Sequence, residues 1–284
     1  MLDIWRENVN VRFGDVDRSG RLTLGSIFSF FQEAAISHAA DLGVGLDDMT
    51  RTGQAWILSR LSLFVERRPF YGETIEVSTW PRRWERLFAL RDYAIRDAEG
   101  HALVRGRGAW LVLDIEKRRP LRVQTIMDSL PPNEGVDAFP AGALALNPVE
   151  NLVKIAERGA LYSDIDYYGH ANNARYVQWI QDATDMEITT KASQFRLDIN
   201  YLNEVMPGET VEFWTAPLEE TVHTENTGDY PASPGPAFAY EGRRPESSQP
   251  VFRAELRTGF LLFTVNSSPM IASLMASSVA LAGS

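Results

Sequence analysis

The hydrophobic positions of this chain form two successive series of the same kind. From Ile4 to Phe13 apolar and polar residues alternate as in a strand. After a polar turn, Leu24, Ile27, Phe28, Phe31, Ala35, His38 and Leu42 recur at helical intervals. This spacing predicts one long, mostly buried helix, ended by Gly43 and Gly45. Trp56–Glu66 reads as a long strand that is apolar on both faces, and Thr74–Thr79, Phe88–Arg96 and Leu103–Leu113 as further strands. Asp97–Gly100 supplies a hairpin turn. Leu121–Val149, marked by Pro131, Pro132, Pro140 and Pro148, lacks strong periodicity and reads as a linker. The order then recurs: a strand near Arg158–Ser163, a helix near Asn173–Glu187, and strands at Gln194–Tyr201, Thr210–Trp214, Ala237–Tyr240 and Val251–Thr264. Thr221–Pro236 is loop-like. One long helix followed by several long strands predicts an α+β fold in which a curved antiparallel sheet wraps a helix.

The recurrence extends to individual residues. FGDVDRSGRLTLGSIFSFFQEA, starting at Phe13, aligns without a gap under the stretch starting at Tyr162. Asp15 falls on Asp164, Asp17 on Asp166, Gly20 on Gly169, and Gln32 on Gln181. A second pair of blocks aligns Arg60–Pro81 with Arg196–Pro217. Two blocks in the same order indicate an internal duplication, with a period too long for a solenoid.

Composition narrows the class. The chain has 284 residues, 44% hydrophobic and 23% charged, enough for a full core. It has no cysteine, so disulfides, cysteine-ligated zinc and cysteine nucleophiles are excluded. The N-terminal MLDIWRENVNVRF has no basic region and no apolar run, and no segment reaches membrane-spanning length. These features lead us to expect a cytoplasmic protein without a membrane span. A net charge of −10 argues against nucleic acid as a partner.

Candidate chemistry concentrates at the turn before the second helix. Asp166 and His170 flank Gly169, and either Asn172 or Asn173 is a suitable N-cap. Tyr162, Ile165 and Tyr167 read as the preceding strand and its exit. Unpaired N–H groups at a helix start favour developing negative charge, so those near Asn172, Asn173 and Ala174 are candidates to polarise a carbonyl. The duplication serves as an internal control: opposite His170 stands Arg21, and opposite Glu204 stands Arg68. Arginine stays protonated and cannot act as a general base. His170 and Glu204 therefore read as functional, and the shared Asp and Gly as architectural. No G-x-S-x-G elbow or H-E-x-x-H pair is present. His38 reads as a core residue, His101 and His223 as loop residues, and Gly106-x-Gly108 as strand rather than a dinucleotide site.

The blocks FGDVDRSGRLTL, FQEAA, WILSRL, TWPRR, RDYAI and AWLVLD, with SDIDYYGHANNARYVQW and YLNEVMPGE, resemble the acyl-acyl-carrier-protein thioesterases, which carry two tandem hotdog modules. The resemblance implies a double-hotdog architecture. We accordingly expect an N-terminal module over 1–125, a linker over 126–150, a catalytic module over 151–265 and a loosely ordered tail over 266–284. It also implies hydrolysis of fatty acyl thioesters on acyl carrier protein, with no cofactor and no metal. Residue by residue, the family's Asp, His and Glu map to Asp166, His170 and Glu204, and its Asn position holds Tyr168. Whether these groups activate water or Asp166 attacks directly stays open at this stage. So do an acyl-CoA hydrolase, an acyl-thioester binding module with weakened catalysis, and a homodimer formed through a sheet edge. Two basic clusters, Arg82/Arg83/Arg86 and Lys117/Arg118/Arg119/Arg122, are candidate docks for an acidic carrier protein on an otherwise acidic chain. Phe28, Phe31 and Trp56 are candidates to line an acyl pocket.

Overall fold

The computed structural model describes residues 3–139, 143–218 and 235–259. Alternating residues form β1 (Trp5–Asn10), and the apolar helical stripe forms α1 (Leu24–Asp41), capped by Thr23 Oγ1 on the Ser26 N–H. A short α2 (Leu46–Arg51), not anticipated from the sequence, precedes β2 (Gln54–Val65). Three long strands, β3 (Thr74–Glu85), β4 (Phe88–Arg96) and β5 (Ala102–Asp114), follow, then β6 (Arg119–Leu121) and a short α3 (Gln124–Met127). The second half comprises β7 (Val153–Gly159), α4 (Asn173–Ala183), α5 (Met186–Lys191), β8 (Gln194–Tyr201), β9 (Thr210–Pro217), β10 (Ala237–Arg243) and β11 (Pro250–Gly259).

Among the described residues the strands make one antiparallel sheet in the order β1-β3-β4-β5-β2-β8-β11-β10-β9-β7, with β6 on β5. The halves join where β2 pairs with β8. Ser62 and Asp198, equivalent positions of the repeat, sit directly opposite each other there and are hydrogen-bonded through their side chains. The repeat's twofold relation passes through that pair. A single buried core runs through both halves, with α1 and α4 packed together inside the curved sheet. Phe31 of α1 stacks on Tyr93 at 4.7 Å. A Cβ at Gly106 would lie 3.1 Å from the Phe31 ring, so this strand glycine serves close helix–sheet packing. Phe28 and Phe31 are thus core residues; of the three pocket candidates, only Trp56 faces the central cavity.

Two further expectations need correction. The strand predicted near Arg158–Ser163 ends at Gly159, and Tyr162–Asp164 is a 3-10 turn. Asp164 causes this: its carboxylate takes the Leu161 N–H at 2.9 Å and turns the chain away from the sheet. Tyr162 and Tyr167 are accordingly exposed. The helix predicted to reach Glu187 stops at Ala183. Thr184 adopts an extended backbone, and Asp185 starts α5 by accepting from the Glu187 N–H at 2.7 Å. The described part of the proline-marked connection packs on the body of the protein. Val123, Met127 and Leu130 pack with Met49, Ala89 and Val112, and Leu144 and Leu146 bond to Asn200 across the sheet join. His223, most of the 221–236 loop, the strand residues expected beyond Gly259 and the 266–284 tail lie outside the described residues.

Candidate active site

The turn carrying Asp166 and His170 is built by the backbone. Asp166 N–H donates to the His170 carbonyl at 3.0 Å, and Gly169 N–H to the Asp166 carbonyl at 3.0 Å. Gly169 has φ +85°, a conformation that L side chains rarely adopt. Asn172 N–H then donates to the Asp164 carbonyl at 2.9 Å. The first half repeats this bond for bond: Asp17 to Arg21 at 2.9 Å, Gly20 to Asp17 at 2.8 Å, and Thr23 to Asp15 at 3.0 Å. Gly20 has φ +73°. The identical scaffold isolates the side chains as the difference between the copies.

In the first copy the site is closed. Asp17 accepts from Ser19 N–H at 2.8 Å and from Arg68 Nη1 at 2.5 Å. Arg68 is only 1% exposed and reaches on to the Thr189 carbonyl at 3.1 Å. In the second copy the equivalent groups face open space. Asp166 Oδ1 accepts from Tyr168 N–H at 2.9 Å and lies 3.8 Å from His170 Nδ1. The His170 ring makes no hydrogen bond among the described residues, and its face stacks on Tyr168 with ring planes 8° apart. Burial is the main cause of a raised Tyr168 pKa, with the Asp166 carboxylate adding to it. At neutral pH the phenol therefore remains a hydrogen-bond donor. Glu204 is held from two sides: Arg244 Nη2 donates to its carbonyl at 2.6 Å, and Arg118 Nη2 stands 3.6 Å from its carboxylate.

A cavity of about 590 Å³ connects these groups. Asp166, Tyr168, His170, Asn173 and Glu204 line one part of it, and Ala39, Met49, Trp56 and Leu58 of the first half line another. The volume suits a ligand with a long apolar portion. The two asparagines separate in role. Asn172 is the N-cap: its Oδ1 takes the Ala174 N–H at 2.8 Å, and it does not line the cavity. Asn173 does line it, and its backbone N–H has no hydrogen-bond partner among the described residues. Tyr201 OH donates to the Asn173 carbonyl at 3.0 Å and fixes that helix start.

Several cavity residues escaped the sequence reading. Arg118, Arg244 and Tyr176 arrive through long-range folding, for which the sequence holds no local signal. Arg91 also reaches the cavity, from β4. Its Nη1 donates to His38 Nδ1 at 3.2 Å and to Thr79 Oγ1 at 3.3 Å. Of the basic clusters, Arg82 is withdrawn from the surface: it pairs with Asp137 at 2.7 Å, and its side chain is 11% exposed. The Lys117–Arg122 segment stays exposed and carries Arg118 to the cavity. The β4–β5 turn gathers Asp97, Glu99 and His101 within metal-ligand reach of one another, and none of the three lines the cavity.

Residues 3–128 match the model of the acyl-ACP thioesterase N-terminal domain, and residues 154–231 that of the C-terminal domain. The chain belongs to the acyl-ACP thioesterase family. It is 24% identical over 230 residues to a chloroplastic acyl-[acyl-carrier-protein] hydrolase of Cuphea viscosissima, covering 75% of this chain and 55% of that one. An oleoyl-acyl carrier protein thioesterase of Arabidopsis thaliana is 22% identical over 236 residues, covering 76% and 64%. The chain thus spans between about half and just under two thirds of the length of the curated relatives it matches. An acyl-ACP thioesterase from Bacteroides thetaiotaomicron superimposes with a TM-score of 0.70 at 26% identity, covering 90% of this chain and 97% of that one. The 12:0-ACP thioesterase from Umbellularia californica shares the fold, with a TM-score of 0.70 at 21% identity over 90% and 94% of the two chains. The fold of this acyl-ACP thioesterase family member is the α+β hotdog, here duplicated. No described helix is long and apolar enough to cross a membrane.

Proposed function

We propose that this chain hydrolyses fatty acyl thioesters carried on acyl carrier protein, releasing the free acid at one site per chain in its second half. The observation that carries the reading is the contrast between the copies. Where the first half fills its turn with the Arg68–Asp17 pair, the second opens His170, Asp166 and Glu204 onto a cavity deep enough for an acyl chain. Family membership supports the same substrate class.

In this reading the acyl chain lies along the first-half wall and the thioester carbonyl rests over the start of α4. The Asn173 N–H and the positive end of the helix polarise the carbonyl oxygen. His170 takes a proton from water as its oxygen attacks the carbonyl carbon. Asp166, 3.8 Å away, offsets the charge of the imidazolium that forms. Glu204 orients the water, and Tyr168, in the place of the family's Asn, donates to substrate oxygen. The C–S bond then breaks, and the thiolate takes the proton from His170. A positioned base of this kind contributes roughly 10²–10⁴-fold. No cofactor or metal takes part in this scheme. Lys117, Arg119 and Arg122, flanking Arg118 at the cavity, form the dock for the carrier protein.

Turnover of matched acyl-ACP and acyl-CoA thioesters of equal chain length tests this. Faster turnover of the carrier-protein substrate is expected. Preference for the CoA ester would reassign the carrier, and binding without turnover would reduce the chain to a binding module.

A further inference from the structure

The turn scaffold is the same in both copies, but the pair of glutamines that the repeat aligns is not used alike. Gln181 of α4 reaches across to α1, where its Oε1 accepts the Gly25 N–H at 3.0 Å. The helices are close enough there that a Cβ on Gly25 would sit 3.3 Å from the Gln178 Cβ. The same relation carries Gly25 onto Ala174 and Gln181 onto Gln32, and so directs Gln32 of α1 to the start of α4. That bond is not made. Thr23 caps α1 on its third N–H, Ser26, and leaves Gly25 for Gln181. Asn172 caps α4 one residue earlier, on Ala174, and takes the N–H that Gln32 would have met. Gln32 Oε1 is left buried with no partner. Gln32 nonetheless lines the cavity alongside His170 and Asn173. Its oxygen is sealed from solvent, no side-chain hydrogen bond of Gln32 occurs among the described residues, and its Nε2 is not among the sealed, unpartnered atoms. With the oxygen sealed and Gln32 on the cavity wall, the accessible amide nitrogen is the end left to serve the cavity.

A buried amide oxygen without a partner costs about 1–3 kcal/mol and calls for an explanation. We infer that Gln32 is a catalytic residue contributed by the first half: its Nε2–H and the Asn173 N–H together receive the thioester carbonyl oxygen as negative charge develops on it. This rests on the hydrolase reading above. It gives the first half a direct part in the chemistry, and it makes the different caps, Thr23 and Asn172, the reason why one helix start is sealed and the other open.

The test compares Gln32→Met with Gln181→Met and His170→Ala on the full chain, measuring kcat, KM and Tm with an acyl-ACP thioester that the wild type turns over. Gln32→Met is expected to lose about 10²–10³-fold in kcat, the usual effect of deleting one oxyanion donor, with little change in KM. Its Tm should hold or rise, because an unsatisfied buried polar group is removed. Gln181→Met should show the reverse, a lower Tm with kcat near wild type. Wild-type kcat in a folded Gln32→Met, with His170→Ala inactive, overturns the role of Gln32 and leaves the hydrolase reading standing. A Tm loss in Gln32→Met matching that of Gln181→Met, with kcat unchanged, assigns Gln32 a structural part and also overturns it. No turnover of any acyl thioester by the wild type overturns both.

Discussion

Arg68 donates to Asp17 at 2.5 Å from the position that Glu204 occupies in the second copy. One substitution thus replaces a group able to handle protons with one that locks the turn shut. Arg68 also ties the halves together through the Thr189 carbonyl. Removing Arg68 leaves Asp17 partly exposed and still bonded to Ser19, so the loss is on the order of 1–3 kcal/mol. Arg68→Met should lower Tm by several degrees in a thermal melt; an unchanged Tm would show that the pair adds nothing to stability.

The resemblance to the acyl-carrier-protein thioesterases implies an Asn where this chain has Tyr168, a residue that can also donate a hydrogen bond. Its ring stacks on His170, with centroids 6.0 Å apart. Tyr168→Asn should keep or raise kcat, because the amide supplies a donor in less volume. A folded but inactive variant would show that the phenol has its own role, holding the imidazole by stacking.

His38 is fully buried, as the apolar helix stripe implied. Arg91 can only donate, so His38 Nδ1 accepts from it at 3.2 Å and Nε2–H donates to Asp3 at 3.3 Å. Burial pushes the His38 pKa below its ordinary value, Arg91 pushes the same way, and Asp3 opposes. A depressed histidine pKa means that the unfolded chain binds the proton more readily. The stabilisation is therefore complete above about pH 6.5 and is lost as pH falls below it. Melts at about pH 7.5 and about pH 5.5 should show a larger loss in the wild type than in His38→Gln. Equal losses would remove His38 as the cause.

Arg82 is spent on Asp137 and Arg118 on Glu204. The proposed carrier dock accordingly rests on Arg119 and Arg122, with Lys117, itself 3.4 Å from Asp114, beside them. Reversing these three charges should raise KM for acyl-ACP, more so at low salt, and leave KM for acyl-CoA unchanged. An equal rise for both substrates would make the effect structural.

Much of this was legible from the sequence because the duplication repeats physical constraints. β4 and β8 fall on their predicted ranges, and the aligned Asp and Gly residues build the same backbone turn twice. What the sequence hid depends on competition between neighbouring groups. Asp185 outcompetes continuation of α4, Asp164 bends the expected strand, and Asn172 rather than Asn173 wins the cap. The alignment paired Gln32 with Gln181, yet nothing in the residues themselves said that only Gln181 finds a partner. The burial of Arg82 and the arrival of Arg118 and Arg244 at Glu204 are long-range outcomes without local pattern.

The most direct test is kcat for acyl-ACP hydrolysis by two variants at equivalent positions, His170→Ala and Arg21→Ala, both confirmed as folded. The asymmetric-site account predicts a loss of at least about two orders of magnitude for His170→Ala and turnover near wild type for Arg21→Ala. Full turnover in His170→Ala, or equal losses in the two variants, would contradict it.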